Sequence, residues 1–238
     1  MAKRRTSNQP RQFRNIFDSV SLSLNHIKPL THNQELAFEG FDQNKCMLLL
    51  GSAGTGKSYQ AVYDILSKIE QGKLRKLVIV RSPVQTKDIG HMPGGIEDKA
   101  SFYTDPYVSI VNELFKRDDA WGILVKHGII EFRLTSFIRG ITLDYCGIVF
   151  DECQSATLNE LITVITRAGK GTIVHFTGDF AQSDLKTKDR VLSKFTCILE
   201  RMPEFNCVYF TIYDCVRSGL AKSFLLAQHS VYGDEVII

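Results

Sequence analysis

Six short apolar runs punctuate the sequence, at 46–50, 77–80, 129–132, 147–150, 172–176 and 207–212. They are rich in Val, Ile, Leu and Phe and lack strict alternation, the pattern of strands buried on both faces. Between them, apolar positions fall three and four apart. Ala61, Val62, Ile65, Leu66 and Ile69 make one helix face, with Gly72 as its stop. Asp105 as N-cap and Pro106 at the first helical position predict a second helix, whose face is Tyr107, Ile110, Val111 and Leu114. Thr157 and Glu160 have capping-box spacing ahead of Leu158, Leu161, Ile162 and Ile165. Val191, Leu192, Phe195, Ile198 and Leu199 form a further face, closed by Pro203. Strands alternating with helices predict βαβ units: an α/β fold with a mainly parallel sheet and helices on both faces. The stretch 87–103 has no clear period, and its Gly90, Pro93, Gly94 and Gly95 predict an excursion over the sheet.

Composition narrows the class. With 238 residues, 44% hydrophobic and 23% charged, the chain has material for one large domain or two small ones, and it is not largely disordered. No apolar run approaches the ~18 residues of a membrane helix. Met1-Ala2-Lys3-Arg4-Arg5 is basic, but neither an apolar stretch nor a cleavage site follows, so no secretory leader is expected. The six cysteines form no C-x-x-C pair and read as small core hydrophobes, which predicts a cytoplasmic protein. Net charge is +3, and the first 17 residues carry Lys3, Arg4, Arg5, Arg11 and Arg14 without one acid. Removing those five from 29 leaves 24 basic against 26 acidic residues, so the basic excess belongs to the N-terminus. Residues 1–25 read as a flexible arm, either polyanion-seeking or merely solubilising, ahead of one domain at 26–238.

Chemistry concentrates at Gly51-Ser52-Ala53-Gly54-Thr55-Gly56-Lys57-Ser58, between the first predicted strand and the first long helix. It fits G-x-x-x-x-G-K-[ST] in the context that identifies a P-loop. Glycines let successive N–H groups converge on phosphate oxygens, helped by the helix N-terminus. Lys57 then reaches the β- and γ-phosphates of ATP, and the Ser58 hydroxyl is a ligand for Mg²⁺. Asp151 and Glu152 end the strand 147–150: Asp151 would complete the metal shell, and Glu152 would activate an attacking water. Thr177-Gly178-Asp179 follows the next strand, and Gln182 behind it could contact the γ-phosphate. Phosphoryl transfer to a small acceptor would need no such glutamate, so a kinase is the weaker reading.

These residues resemble superfamily one helicase ATPase cores and, more closely, the PhoH family. Arg81-Ser82-Pro83-Val84, Gly90-His91-Met92-Pro93-Gly94 with Lys99, Ser136-Phe137-Ile138-Arg139-Gly140, Thr166-Arg167-Ala168-Gly169 and Asp214-Cys215-Val216-Arg217 carry the likeness. Cys153, Ser155 and Ser52 depart from the usual Ala, Asn and Pro, and leave the chemical positions intact. The resemblance implies a RecA-like ATPase linked to RNA or single-stranded DNA and ring-forming in several members. Lys57, Glu152, Gln182 and Arg217 then hold the catalytic roles. Gln34, in Thr31-His32-Asn33-Gln34, falls where such proteins read adenine, although Thr-x-x-Gln is also a capping box. Arg81, Phe137 and Arg139 are the nucleic-acid candidates, with Phe137 either a stacking platform or a core residue. One ATPase lobe in 238 residues implies a homo-oligomer, such as a hexameric ring, in which Arg217 reaches a neighbour's site. The rival is an ATP-binding assembly switch that unwinds nothing.

Overall fold

The computed structural model describes residues 13–83, 96–179 and 186–232. Gln182, His91 and the basic residues Lys3, Arg4, Arg5 and Arg11 lie outside them. In chain order the elements are α1 (Ile16–Ser19), α2 (His32–Asp42), β1 (Cys46–Gly51), α3 (Lys57–Glu70), β2 (Lys76–Arg81), α4 (Ile96–Phe115) and α5 (Ala120–Lys126). There follow β3 (Ile130–Leu134), β4 (Cys146–Phe150), α6 (Leu158–Ile165), β5 (Ile173–Gly178), α7 (Lys186–Leu199), β6 (Phe205–Phe210) and α8 (Gly219–Tyr232). The strands form one sheet in the order β3-β2-β4-β5-β1-β6, and every adjacent pair is parallel. This is the RecA-like P-loop NTPase fold.

The sheet is buried on both faces because its strands alternate between two cores. Met47 and Leu49 of β1 pack with α1 to α5, whereas Leu48 and Leu50 pack with α6 and α7. All four are fully buried. Each such side chain is worth ~1.5–3 kcal/mol, which explains the near-continuous apolar runs in the sequence. Parallel strands also put all their carboxyl ends on one edge of the sheet. The P-loop, the acids after β4 and the end of β5 therefore share that edge.

Three expectations are corrected. First, α4 does not begin at Asp105 but runs from Ile96, with Pro106 inside it. The proline forfeits one backbone hydrogen bond. Tyr103 and Tyr107, on either side of it, both pack on Phe132, at ring-centroid separations of 6.3 and 6.2 Å. That packing carries the helix through. Second, residues 13–25 belong to the folded body. Phe17 is fully buried with its ring 5.0 Å from Phe115, and Leu22 and Leu24 are buried beside it. Phe13 donates its N–H to the Gly72 carbonyl (2.7 Å), and the Arg75 guanidinium lies 4.7 Å from the Phe13 ring. Third, the last strand ends at Phe210 rather than 212. Asp214 accepts from the Thr211 backbone N–H (2.8 Å) and hydroxyl (3.0 Å), and this turns Ile212–Asp214 into a 3-10 turn.

Candidate functional site

The P-loop starts at the C-terminal tip of β1 and ends in the first turn of α3. Gly54 and Gly56 take positive φ (+77° and +81°), a conformation that costs other residues more than glycine. Thr55 is fully buried and turns its hydroxyl onto the Ser52 carbonyl (3.0 Å), so it braces the loop from within. Lys57 is buried, and its ammonium donates to the carbonyls of Gly51 (2.6 Å) and Ser52 (2.7 Å). Burial draws this ammonium below the usual lysine range, while Asp179, Asp151 and Glu152 oppose that fall.

Asp151 gathers hydroxyls from three elements. Its Oδ1 accepts from Ser58 at 2.7 Å and from Thr177 at 2.5 Å, and its Oδ2 accepts from Tyr107 at 2.7 Å. Burial and the Asp151 charge raise the Tyr107 phenol well above its usual range, so at neutral pH it remains a donor. Glu152 follows in the left-handed region (φ +56°), a strained conformation that tends to persist where surrounding structure enforces it. The enforcement is visible. Gln154 donates to Glu152 Oε2 (2.6 Å), while its own Oε1 accepts the Asp179 backbone N–H (3.0 Å). Burial and Asp151 push the Glu152 carboxyl up, with Gln154, Arg81 and Lys57 pulling the other way. Cys153 is fully buried and its thiol is driven up by burial, which makes it a packing residue.

One cleft of about 880 Å³ collects most of the sequence-predicted residues: Gln34, Gly54, Lys57, Ser58, Glu152 and Arg217 all line it, as does Asp151. Its other wall is the segment 25–30, which straddles the boundary that the sequence predicts between arm and domain. The Gln34 side chain does not close a capping box. Its Oε1 accepts the Leu30 N–H (2.8 Å) and its Nε2 donates to the Thr55 carbonyl (3.0 Å), which joins the cleft wall to the P-loop. Arg217 also reaches this cleft. Val216 donates its N–H to the Gly54 carbonyl (3.0 Å), and this lays the Arg217 stem over Gly54 of the same chain. Arg217 therefore lines the cleft of its own chain.

The nucleic-acid candidates stay outside the cleft. Arg81 ends β2, 5.9 Å from the Tyr103 ring and near enough to Glu152 to oppose the rise of its carboxyl. Phe137 is 68% exposed, in the 3-10 turn Thr135–Phe137 after β3, so it is not a core residue. Arg139 is exposed two residues on. The sequence motifs after β4 and β5 include Gln154 and Thr177 without giving them a role, and Tyr107 falls in no motif. For Tyr107 there was no signal: with Ile110, Val111 and Leu114 it has the spacing of an ordinary core face.

Ser58 and Asp151 fit a magnesium site, since a hydroxyl and a carboxylate meet at one point on the cleft. Among the described residues no group of three or more His, Cys, Asp or Glu is arranged for a metal. A hard cation that keeps waters and takes phosphate oxygens suits so sparse a donor set.

Residues 26–228 match the PhoH-like protein family. The chain belongs to the PhoH family. It is 30% identical to a PhoH-like protein of Bacillus subtilis (strain 168), over 67% of this chain and 50% of that protein. Protein PhoH2 of the same organism is 32% identical over 74% of this chain and 41% of that protein. This PhoH-family chain spans about half the length of the curated relatives it matches. Among solved structures it is similar to the large terminase of a thermophilic bacteriophage, at 10% identity and TM-score 0.49, over 84% of this chain and 50% of that one.

Proposed function

We propose that the protein hydrolyses ATP with magnesium, and that hydrolysis is coupled to binding of RNA or single-stranded DNA. The observation that carries the reading is the convergence of Lys57, Ser58, Asp151, Glu152 and Arg217 on one cleft. The P-loop N–H groups and the Lys57 ammonium receive the β- and γ-phosphates. Magnesium, when bound by Ser58 and Asp151, supplies charge neutralisation across the phosphates. A water attacks the γ-phosphorus while Glu152 accepts its proton. The bond to the β,γ-bridging oxygen breaks, and ADP leaves with that electron pair. Glu152 suits the task because burial and Asp151 raise its carboxyl toward the working pH. Arg217, permanently charged and forked, suits the charge that builds on the transferred group.

Several features support the remaining parts. Arg81, Phe137 and Arg139 sit on the same sheet edge as the P-loop, and an exposed aromatic among cations suits a single strand. Leu220, Phe224 and Val231 stand exposed on α8, which supports self-association. Six unbridged cysteines fit a reducing cytoplasm.

Glu152→Gln is the test of the chemistry. The amide keeps the hydrogen-bonding shape but cannot take a proton. ATP affinity by calorimetry should stay near wild type, while phosphate release falls ~10²–10⁴-fold. Turnover that survives the substitution sinks the assignment of Glu152 as the base. Phosphate release by wild type, measured with and without single-stranded RNA or DNA, tests the coupling.

A further inference from the structure

We propose that Tyr107 is a positioning residue for the metal-holding carboxylate of Asp151. The proposal rests on reading Ser58 and Asp151 as the magnesium site and adds a residue to it from outside the P-loop and the strand tips. Asp151 is buried, at 6% exposure, so its oxygens depend on protein donors rather than on water. Ser58 and Thr177 both serve Oδ1. Among the described residues the Tyr107 hydroxyl is the donor to Oδ2. Two donors on one oxygen restrain the carboxylate from that side only. A third donor on the other oxygen fixes its plane.

The tyrosine is itself held rigidly. It is fully buried in α4, and its ring packs on Phe132 of β3 with centroids 6.2 Å apart. Elements on three sides therefore aim one carboxylate: α3 through Ser58, β5 through Thr177 and α4 through Tyr107. A phenol that only satisfied its own hydrogen bond could use any acceptor in reach. This one reaches across 44 residues of sequence to the acid that ends β4. Groups that orient a metal ligand in this way commonly matter nearly as much to metal affinity as the ligands themselves.

Tyr107→Phe removes the hydroxyl and keeps the ring. Manganese serves as a magnetically visible stand-in for magnesium, titrated into protein loaded with a non-hydrolysable ATP analogue and read by electron paramagnetic resonance. The expected result is a manganese affinity weakened about ten-fold, the low end of what such outer contacts cost. Affinity for the same analogue in EDTA should be unchanged, since the P-loop is untouched. In an Asp151→Asn background, adding Tyr107→Phe should cause no further loss, because the tyrosine acts through that carboxylate. Wild-type manganese affinity in Tyr107→Phe, or full additivity with Asp151→Asn, overturns the proposal. Should Tyr107→Phe melt too low to assay, the apolar Tyr107→Met is read the same way at reduced temperature. If wild type loaded with the analogue binds no manganese, the parent reading of the site fails. If wild type binds and Tyr107→Phe matches it, only the role of Tyr107 fails.

Discussion

Gly178 shows how tightly single atoms constrain this site. A Cβ at that position would lie 2.6 Å from the Cys153 sulfur and 2.8 Å from Gln154 Oε1. Gln154 is the side chain that restrains Glu152 and ties it to the Asp179 backbone. Gly178→Ala must therefore displace the strand tip after β4. The expected cost is ~1–3 kcal/mol of overpacking, read by chemical denaturation, with a turnover loss larger than any change in ATP affinity. Unchanged phosphate release would show that Gln154 is not needed to hold Glu152. Gly178 ends β5 and makes room for a neighbour. Lys57, Ser58, Asp151 and Glu152 were legible because backbone chemistry dictates their spacing from glycines and strand ends. Tyr107 was not, because one hydroxyl within an apolar pattern leaves no periodic trace, and Thr177 was visible only within the Thr177-Gly178-Asp179 motif, without its partner. Their partner lies 44 and 26 residues away in the chain.

The elements are held in register by a buried polar link as well as by apolar packing. Asp64 of α3, the helix that carries Lys57, accepts from His175 Nε2 of β5 at 2.7 Å and pairs with Lys68. Lys68 also donates to the Phe41 carbonyl at 3.0 Å, which brings in α2. Burial pushes the Asp64 carboxyl up, but His175 and Lys68 outweigh it and hold the group below the usual aspartate range. A carboxyl depressed in the folded state adds stability above its unfolded value, and that stability fades as pH falls toward the folded one. Asp64 should therefore contribute fully at pH 7 and progressively less below about pH 4. Asp64→Ala leaves Lys68 buried and unpaired, which should cost ~3–5 kcal/mol at pH 7. The difference from wild type should narrow in acid, as measured by urea melts across pH. A constant difference would mean that packing alone is lost. Periodicity disclosed every strand of the sheet, since apolar runs buried on two faces stand out. It misplaced the start of α4, where Pro106 is a strong local stop overridden by rings packed on Phe132. It also assigned 13–25 to the arm, where charge masked the anchors Phe17, Leu22 and Leu24.

At the scale of the whole molecule, the fold decides which tests of the arm and of assembly are sound. Removing residues 1–17 would strip Phe17 from the core, so the deletion that isolates charge is 1–11. It takes Lys3, Arg4, Arg5 and Arg11. If all four contact phosphates, the log–log salt dependence of single-strand binding should flatten by up to ~2.8 units, with basal phosphate release unchanged. An unchanged slope in anisotropy titrations leaves them as solubilising charge. The arginine of the cleft bears on assembly more sharply. From the sequence, Arg217 is expected to complete a neighbour's site. In the structure it lies across Gly54 of its own chain, held there by the Val216 N–H on the Gly54 carbonyl. A site built within one chain makes a definite statement about mixtures. Arg217→Ala should keep ATP affinity and lose turnover, by ~10³–10⁵-fold if it does the work of an arginine finger. Glu152→Gln should fail at the proton transfer. Mixing the two proteins should restore nothing, because no chain in the mixture carries both intact groups at its own cleft, however the chains associate. The check is phosphate release from co-refolded mixtures over a range of ratios, beside mass photometry to establish that the two proteins enter common assemblies. Activity that rises and peaks near equal ratios would show that Arg217 crosses to a partner in the working state. Baseline activity at every ratio, in assemblies that contain both variants, is the outcome the Gly54 contact requires.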